Sequence, residues 1–278
     1  MKCERIELKK YFEFLGENNC NPVLDVMLPE VYGRPNTGKC KRPCMLVCPG
    51  GGYHFCSERE GEPIGLHFLP EGYNVFVLTY SVAPNKFPTQ LREVAAAMEL
   101  IYKNAEEWNC DTEKIAIIGF SAGGHLAAHY STMYNCKEVR EVFPESKSVN
   151  ASILSYPVIT ADFKYAHKGS FINLIGHEPE SKEEQDYFSC DCQVDENTPP
   201  AFIWHTATDD CVPVKNSFLY AEALTKHKVP VELHIYPFGH HGMSTCDEHT
   251  LDNINEVTVH NHLWLTSVKN WLKLIFKN

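Results

Sequence analysis

Gly119-Phe120-Ser121-Ala122-Gly123 stands directly between an apolar run, residues 115–118, and a stretch with helical spacing, residues 122–134. A serine held there sits on a strand-to-helix turn so tight that the residues two before and two after it have to be small. The joint therefore demands a buried strand on one side and a helix packing back onto a sheet on the other. The neighbouring sequence supplies both. After an N-terminal strand region at 23–28, strand-like runs fall at 45–47, 74–80, 115–118, 151–154, 201–205 and 231–236. Helical patterns fall at 90–108, 122–134, 215–227 and 262–276. Strands alternating with helices predict an α/β fold, a mostly parallel sheet covered on both faces. No internal repeat or linker divides the chain, so residues 1–278 are expected to form one domain. Between Pro157 and Pro200 the alternation breaks into a polar stretch, read as irregular and as a small lid or pocket wall.

A serine hydroxyl is a weak nucleophile and needs a base, and the base needs a group to orient it. Asp209 follows the strand at 201–205, and His241 follows the strand at 231–236. Both leave the sheet at the carboxyl ends of strands, where Ser121 also emerges and where open parallel sheets bind ligands. Acyl transfer further needs hydrogen-bond donors for an oxyanion. Gly50-Gly51-Gly52-Tyr53 also follows a strand, and Gly51 and Gly52, with the N–H of Ala122, form the candidate oxyanion hole. Alone, three glycines fit a phosphate loop equally well, but no G-x-G-x-x-G or Walker lysine accompanies them. Tyr53, after the glycines, is expected to face the pocket, and His240 to sit on its rim. His125, His205 and His234 read as packed histidines, and His249, His260 and His262 as solvated ones.

These pieces together resemble the acetyl-xylan-esterase-like branch of the α/β-hydrolases, near the hormone-sensitive-lipase type. The matching segments are CPGGGYHF, REGEPI, YNVFVLTYSVAP, GFSAGGH, TPPAFIWHTATDDCVPVKNS and VELHIYPFGHHG, which span Leu46 to Gly242. The resemblance places the triad acid of D-x-x-V-P on Asp209 and the histidine of G-x-H-G on His241. It implies a serine esterase acting on acetyl or other short acyl esters of sugars or small oligosaccharides, with no cofactor or metal. Ser81 stands where an arginine is common, and His240 where a glycine is common. A peptidase of the prolyl-oligopeptidase type and a non-catalytic hydrolase-fold binding protein remain the alternatives. PGGGY and Ala122 favour the esterase over the first, and the three triad residue types in order favour it over the second.

Composition narrows the partners. The formal charge is −11, and the basic runs Lys9-Lys10 and 39–42 are short, which disfavours nucleic acid. No run approaches the roughly 20 apolar residues of a membrane span. The first residues carry no apolar stretch of signal-peptide length, so the expected location is cytoplasmic. Twelve cysteines invite a metal or disulfide reading. Cys40, Cys44 and Cys48 are interrupted by Pro43, and Cys190-x-Cys192 lacks a partner pair, so most are expected to be free thiols. The remaining partner is a small-molecule ester.

Overall fold

The computed structural model describes residues 1–15, 21–30 and 40–277, so Lys39 of the second basic run lies outside the described residues. In chain order the elements are β1 (Lys2–Glu7), β2 (Val23–Leu28), β3 (Arg42–Cys48), α1 (Glu62–Phe68) and β4 (Asn74–Thr79). Then come α2 (Thr89–Lys103), β5 (Cys110–Phe120), α3 (Ala122–Met133), α4 (Lys137–Arg140) and β6 (Ala151–Ser155). The chain continues with α5 (Lys168–Ile175), α6 (Lys182–Phe188), β7 (Ala201–Thr206) and α7 (Lys215–Lys226). It closes with β8 (Val231–Tyr236), α8 (Glu256–Asn261) and α9 (Leu263–Ile275). Among the described residues eight strands form one sheet in the order β1-β2-β4-β3-β5-β6-β7-β8. From β4 to β8 every pairing is parallel, whereas β1–β2 and β2–β4 are antiparallel. The α/β fold expected from the alternation is the one observed.

Alternate strand residues feed two cores, as the two-residue period of a strand dictates. Cys44, Leu46 and Cys48 of β3 join one core, with Leu126 of α3 and Leu224 of α7. Met45 and Val47 join the other, with Phe68 of α1 and Trp264, Val268 and Trp271 of α9. Burial on both faces explains why the central strands read as continuous apolar runs.

Two differences from the sequence reading have local causes. β1 carries Lys, Glu and Arg because it is an edge strand, largely solvent-exposed, and only Ile6 is buried. The stretch 157–200 is not irregular: it holds α5 and α6. Both are under three turns long, too short for a clear helical period. α5 buries Phe171 and Leu174 and ends at Gly176 in the left-handed region, while α6 starts on a Ser181 cap that accepts the Glu184 N–H.

Candidate active site

β5 ends at Phe120 and α3 begins at Ala122, leaving Ser121 alone at the turn with φ 52° and ψ −117°. A positive φ on a non-glycine residue is strained, and such strain gathers at functional sites. The sharpness of the turn sets its flanks: a Cβ on Gly119 would lie 2.1 Å from the Gly123 carbonyl oxygen.

The three residues picked from separate motifs meet here. His241 Nε2 lies 2.8 Å from Ser121 Oγ, and His241 Nδ1 lies 2.8 Å from Asp209 Oδ2. Since a carboxylate can only accept, Nδ1 is assigned the proton, which leaves Nε2 to accept from the serine hydroxyl. Asp209 is fixed from behind. Its Oδ1 accepts the N–H groups of Cys211 and Val212 at 2.9 and 2.8 Å, and its side chain is 1% exposed. Burial pushes its carboxyl up, but hydrogen bonds from His205 and His241 outweigh this and hold it well below the usual range.

His205 is the member that sequence reasoning missed. It is packed and fully buried, as its strand position implies, but its Nε2 also lies 3.2 Å from Asp209 Oδ2 and 3.0 Å from the Val212 carbonyl. Ser217 Oγ, 2.8 Å away, donates to its Nδ1. Its place at the end of β7, four residues before Asp209, was the available signal.

Neighbouring residues separate clearly. Asp210 is exposed and accepts the His241 backbone N–H at 3.2 Å, so it meets the main chain and not the imidazole. His240 is also exposed and hydrogen-bonds the His241 carbonyl through Nδ1 at 2.6 Å. Its ring is occupied by its own backbone and does not line the cleft described below. Tyr53 corrects the expectation that it faces the pocket. With φ 57° the chain reverses there, and the ring turns into the core with 0% exposure. Its hydroxyl lies 2.8 Å from His125 Nδ1, and its ring meets Tyr80 edge-on. Ser81 likewise is buried, bonded through its N–H and Oγ to Glu93 at 2.6 and 2.5 Å.

The glycine loop is held by its carbonyls. Gly50 O accepts from the Ser57 N–H at 2.9 Å, and Gly51 O from the N–H groups of His54 and Phe55 at 2.9 and 3.2 Å. In a trans peptide the N–H points opposite to the carbonyl, so the Gly51 and Gly52 N–H groups face away from those partners. The Ala122 N–H opens α3, where no intrahelical acceptor exists. The Gly52 carbonyl is tied to the Asn173 side-chain amide of α5 at 2.8 Å. A cleft of about 350 Å³ runs past Gly51, Gly52, Ser121 and His241, with Arg59, His167 and Asn173 on its walls. Burial lowers the His167 pKa, and proximity to His241 lowers it further. Among the described residues no three His, Cys, Asp or Glu side chains are grouped to hold a metal ion, and the cysteines are free.

A parallel sheet with this elbow, acid turn and histidine loop defines an α/β-hydrolase. The BD-FAE family model matches residues 25–224, and the chain belongs to that family. It is 39% identical over 231 residues to endo-1,4-beta-xylanase B of Butyrivibrio fibrisolvens, covering 80% of this chain and 35% of that protein. It is 33% identical over 219 residues to the acetylxylan esterase of Xylanibacter ruminicola, covering 74% of this chain and 44% of that one. The chain thus spans less than half the length of either curated relative. Among solved structures, the acetyl ester-xyloside bifunctional hydrolase of Caldicellulosiruptor lactoaceticus superposes with a TM-score of 0.84 at 33% identity. That match covers 98% of this chain and 96% of that one.

Proposed function

We propose that this chain is a serine esterase that removes short acyl groups, chiefly acetyl, from sugars or small oligosaccharides. The observation that carries the reading is the unbroken hydrogen-bonded path Ser121–His241–Asp209 opening into a cleft beside the glycine loop. Ser121 Oγ attacks the ester carbonyl carbon as His241 Nε2 takes its proton, and Asp209 stabilises the imidazolium. Gly51, Gly52 and Ala122 donate to the oxyanion, the histidine returns its proton to the departing alcohol, and water then releases the acid by the same steps. No cofactor takes part in this scheme.

The carbohydrate part of the proposal draws support from the acetylxylan esterase and acetyl ester-xyloside hydrolase names of the relatives. Residues 157–200 act as the pocket wall in this reading, since His167, Gly169 and Asn173 line the cleft. The several free thiols suit a reducing compartment, and a cytoplasmic enzyme meeting small acetylated sugars is the location we infer. No helix of the described residues is long and apolar enough to cross a membrane.

The test is a p-nitrophenyl ester series beside acetylated xylo-oligosaccharides, with a serine-directed organophosphate. Acetate should exceed octanoate in kcat/KM by about tenfold, equal to ~1.4 kcal/mol of transition-state binding. The organophosphate adduct should map to Ser121. Activity that vanishes on chelation and returns with zinc, or an adduct elsewhere, would sink the mechanism. A preference for long chains would replace the acetyl substrate with a lipid-like one.

A further inference from the structure

Glu60 is a buried carboxylate, 4% exposed, for which no lysine or arginine ion pair is formed among the described residues. Burying such a charge is costly unless its surroundings compensate it. Its two oxygens have one donor each. Oε2 accepts the Gly50 N–H at 2.9 Å, and Oε1 accepts the Tyr156 hydroxyl at 2.6 Å. Both partners donate and so favour the ionised form, while burial works against them and raises the carboxyl above its usual range. The approach to the loop is close enough that a Cβ on Gly50 would lie 2.6 Å from Glu60 Oε2.

The two contacts reach opposite sides of the reaction. Gly50 opens the loop that carries Gly51 and Gly52. Tyr156, held at φ 37°, lays its ring against the His241 imidazole with centroids 5.0 Å apart and planes at 69°. Its hydroxyl also accepts the Ser244 N–H at 2.9 Å, which anchors the chain just beyond His241. Proton transfer from Ser121 puts positive charge on His241 and negative charge on the substrate oxygen. The ionised Glu60 carboxylate, one ring away from the histidine, favours the first, and a fixed loop presents donors to the second.

We propose that Glu60 is a positioning residue for this reaction, holding the glycine loop through the Gly50 N–H while its charge supports the imidazolium through Tyr156. The proposal rests on the Ser121–His241 reading. It differs from a purely architectural role because charge, and not only shape, is required. The other polar and titratable groups around His241 are Asp209, Asp210 and Cys211 of the β7 turn, His167 of the pocket wall, Arg59, and Tyr156 itself. None of these residues is replaced in a Glu60 variant, and of them Tyr156 alone is hydrogen-bonded to Glu60. Removing the Glu60 charge therefore exposes its own effect on the base.

The experiment compares wild type, Glu60→Gln and Glu60→Asp on p-nitrophenyl acetate across pH 5–9, with folding followed by circular dichroism. Glu60→Gln is expected to lower kcat by about 10- to 100-fold with KM nearly unchanged. It is also expected to move the acid limb of kcat/KM to lower pH by roughly half a unit, since the charge favouring the protonated base is gone. Glu60→Asp keeps the charge but withdraws it from Gly50, so kcat falls while the acid limb stays near the wild-type position. If Glu60→Gln does not fold, Glu60→Asp decides alone: a fall in kcat at an unmoved acid limb supports the proposal, and wild-type kcat overturns it. A folded Glu60→Gln with wild-type kcat, or with reduced kcat and an unmoved acid limb, overturns it too. Wild-type protein without turnover and without organophosphate adduct on Ser121 would instead defeat the esterase reading beneath it.

Discussion

Asp209, in the turn after β7, and Glu93, on α2, both have buried carboxylates, yet their surroundings treat them oppositely. Asp209 meets four donors: the two imidazoles of His241 and His205 and the N–H groups of Cys211 and Val212. Glu93 meets only the N–H and hydroxyl of Ser81. Burial raises both, but donors outweigh it at Asp209, while at Glu93 burial prevails and the carboxyl is pushed up to about 7. More donors at Asp209 and deeper burial at Glu93 together separate a charged orienting group from one that titrates near neutrality.

The largest expected effect breaks the comparison on its charged side. Asp209→Asn should lower kcat by about 10⁴-fold, because the imidazole loses its acceptor and its tautomer. Asp210→Asn should stay within a few-fold, since an asparagine oxygen still accepts the His241 N–H. The matching histidine pair is expected to split the same way, with His241→Ala crippling and His240→Ala mild. Steady-state kinetics on the four folded variants check this, and a more damaging Asp210→Asn or His240→Ala would move the assignment by one residue.

A smaller effect asks how many donors Asp209 needs. His205→Leu removes one of the four and leaves Ser217 Oγ and the Val212 carbonyl without their ring partner. We expect kcat to fall about tenfold and stability to drop by about 1–3 kcal/mol, as for a buried hydrogen-bonding group left unmatched. A His205→Leu enzyme with wild-type turnover would reduce His205 to packing.

Next in size is a pH effect on stability with opposite signs at the two sites. The Asp209 carboxyl is depressed, so its contribution is present at neutral pH and disappears only as pH falls below the ordinary carboxylate range. The Glu93 carboxyl is raised from 4.5 to about 7, so the stability it confers is complete below 4.5 and is lost as pH rises through about 7. Wild-type Tm should therefore decline between pH 5 and 8.5, and Glu93→Gln should decline less over the same window. Thermal melts at both pH values decide it, and identical declines would remove Glu93 as the titrating group.

The smallest effect concerns Cys211, which lies between the acid turn and the cleft. Burial and the carboxylates of Asp209 and Asp210 push its thiol up, so little thiolate forms at neutral pH. Cys211→Ser is expected to keep kcat/KM within about twofold, consistent with a surface substitution outside the reacting atoms. Brief treatment with N-ethylmaleimide at pH 7 should likewise leave most activity. Rapid inactivation that Cys211→Ser abolishes would place a reactive thiol in the cleft.

Legibility in the sequence followed periodicity and turn chemistry. The apolar runs at 45–47, 115–118 and 201–205 fall inside β3, β5 and β7, because buried parallel strands announce themselves on both faces. β1 stayed hidden because an edge strand needs charge, and α5 and α6 because each is too short to display a helical period. Ser121, Asp209 and His241 were legible as a set because each follows a strand of one parallel sheet, and parallel strands end on the same edge. That they meet within hydrogen-bond distance follows from the strand order, with β5, β6, β7 and β8 side by side.

What the sequence determined by itself was thus the sheet, its edge and the residue types offered there, since strand period, glycine spacing and chain order are local properties. Direction was decided only by tertiary structure. Tyr53 turned inward to His125 because its positive φ reversed the chain, and His205 proved to face Asp209 because the acid turn folds back onto β7. Glu60 reached both Gly50 and Tyr156, 96 residues further along the chain, through packing that no local pattern encodes. A side chain's type is written in one position, but its partner is chosen by segments distant in sequence, and hydrogen bonds form only where those segments are packed together.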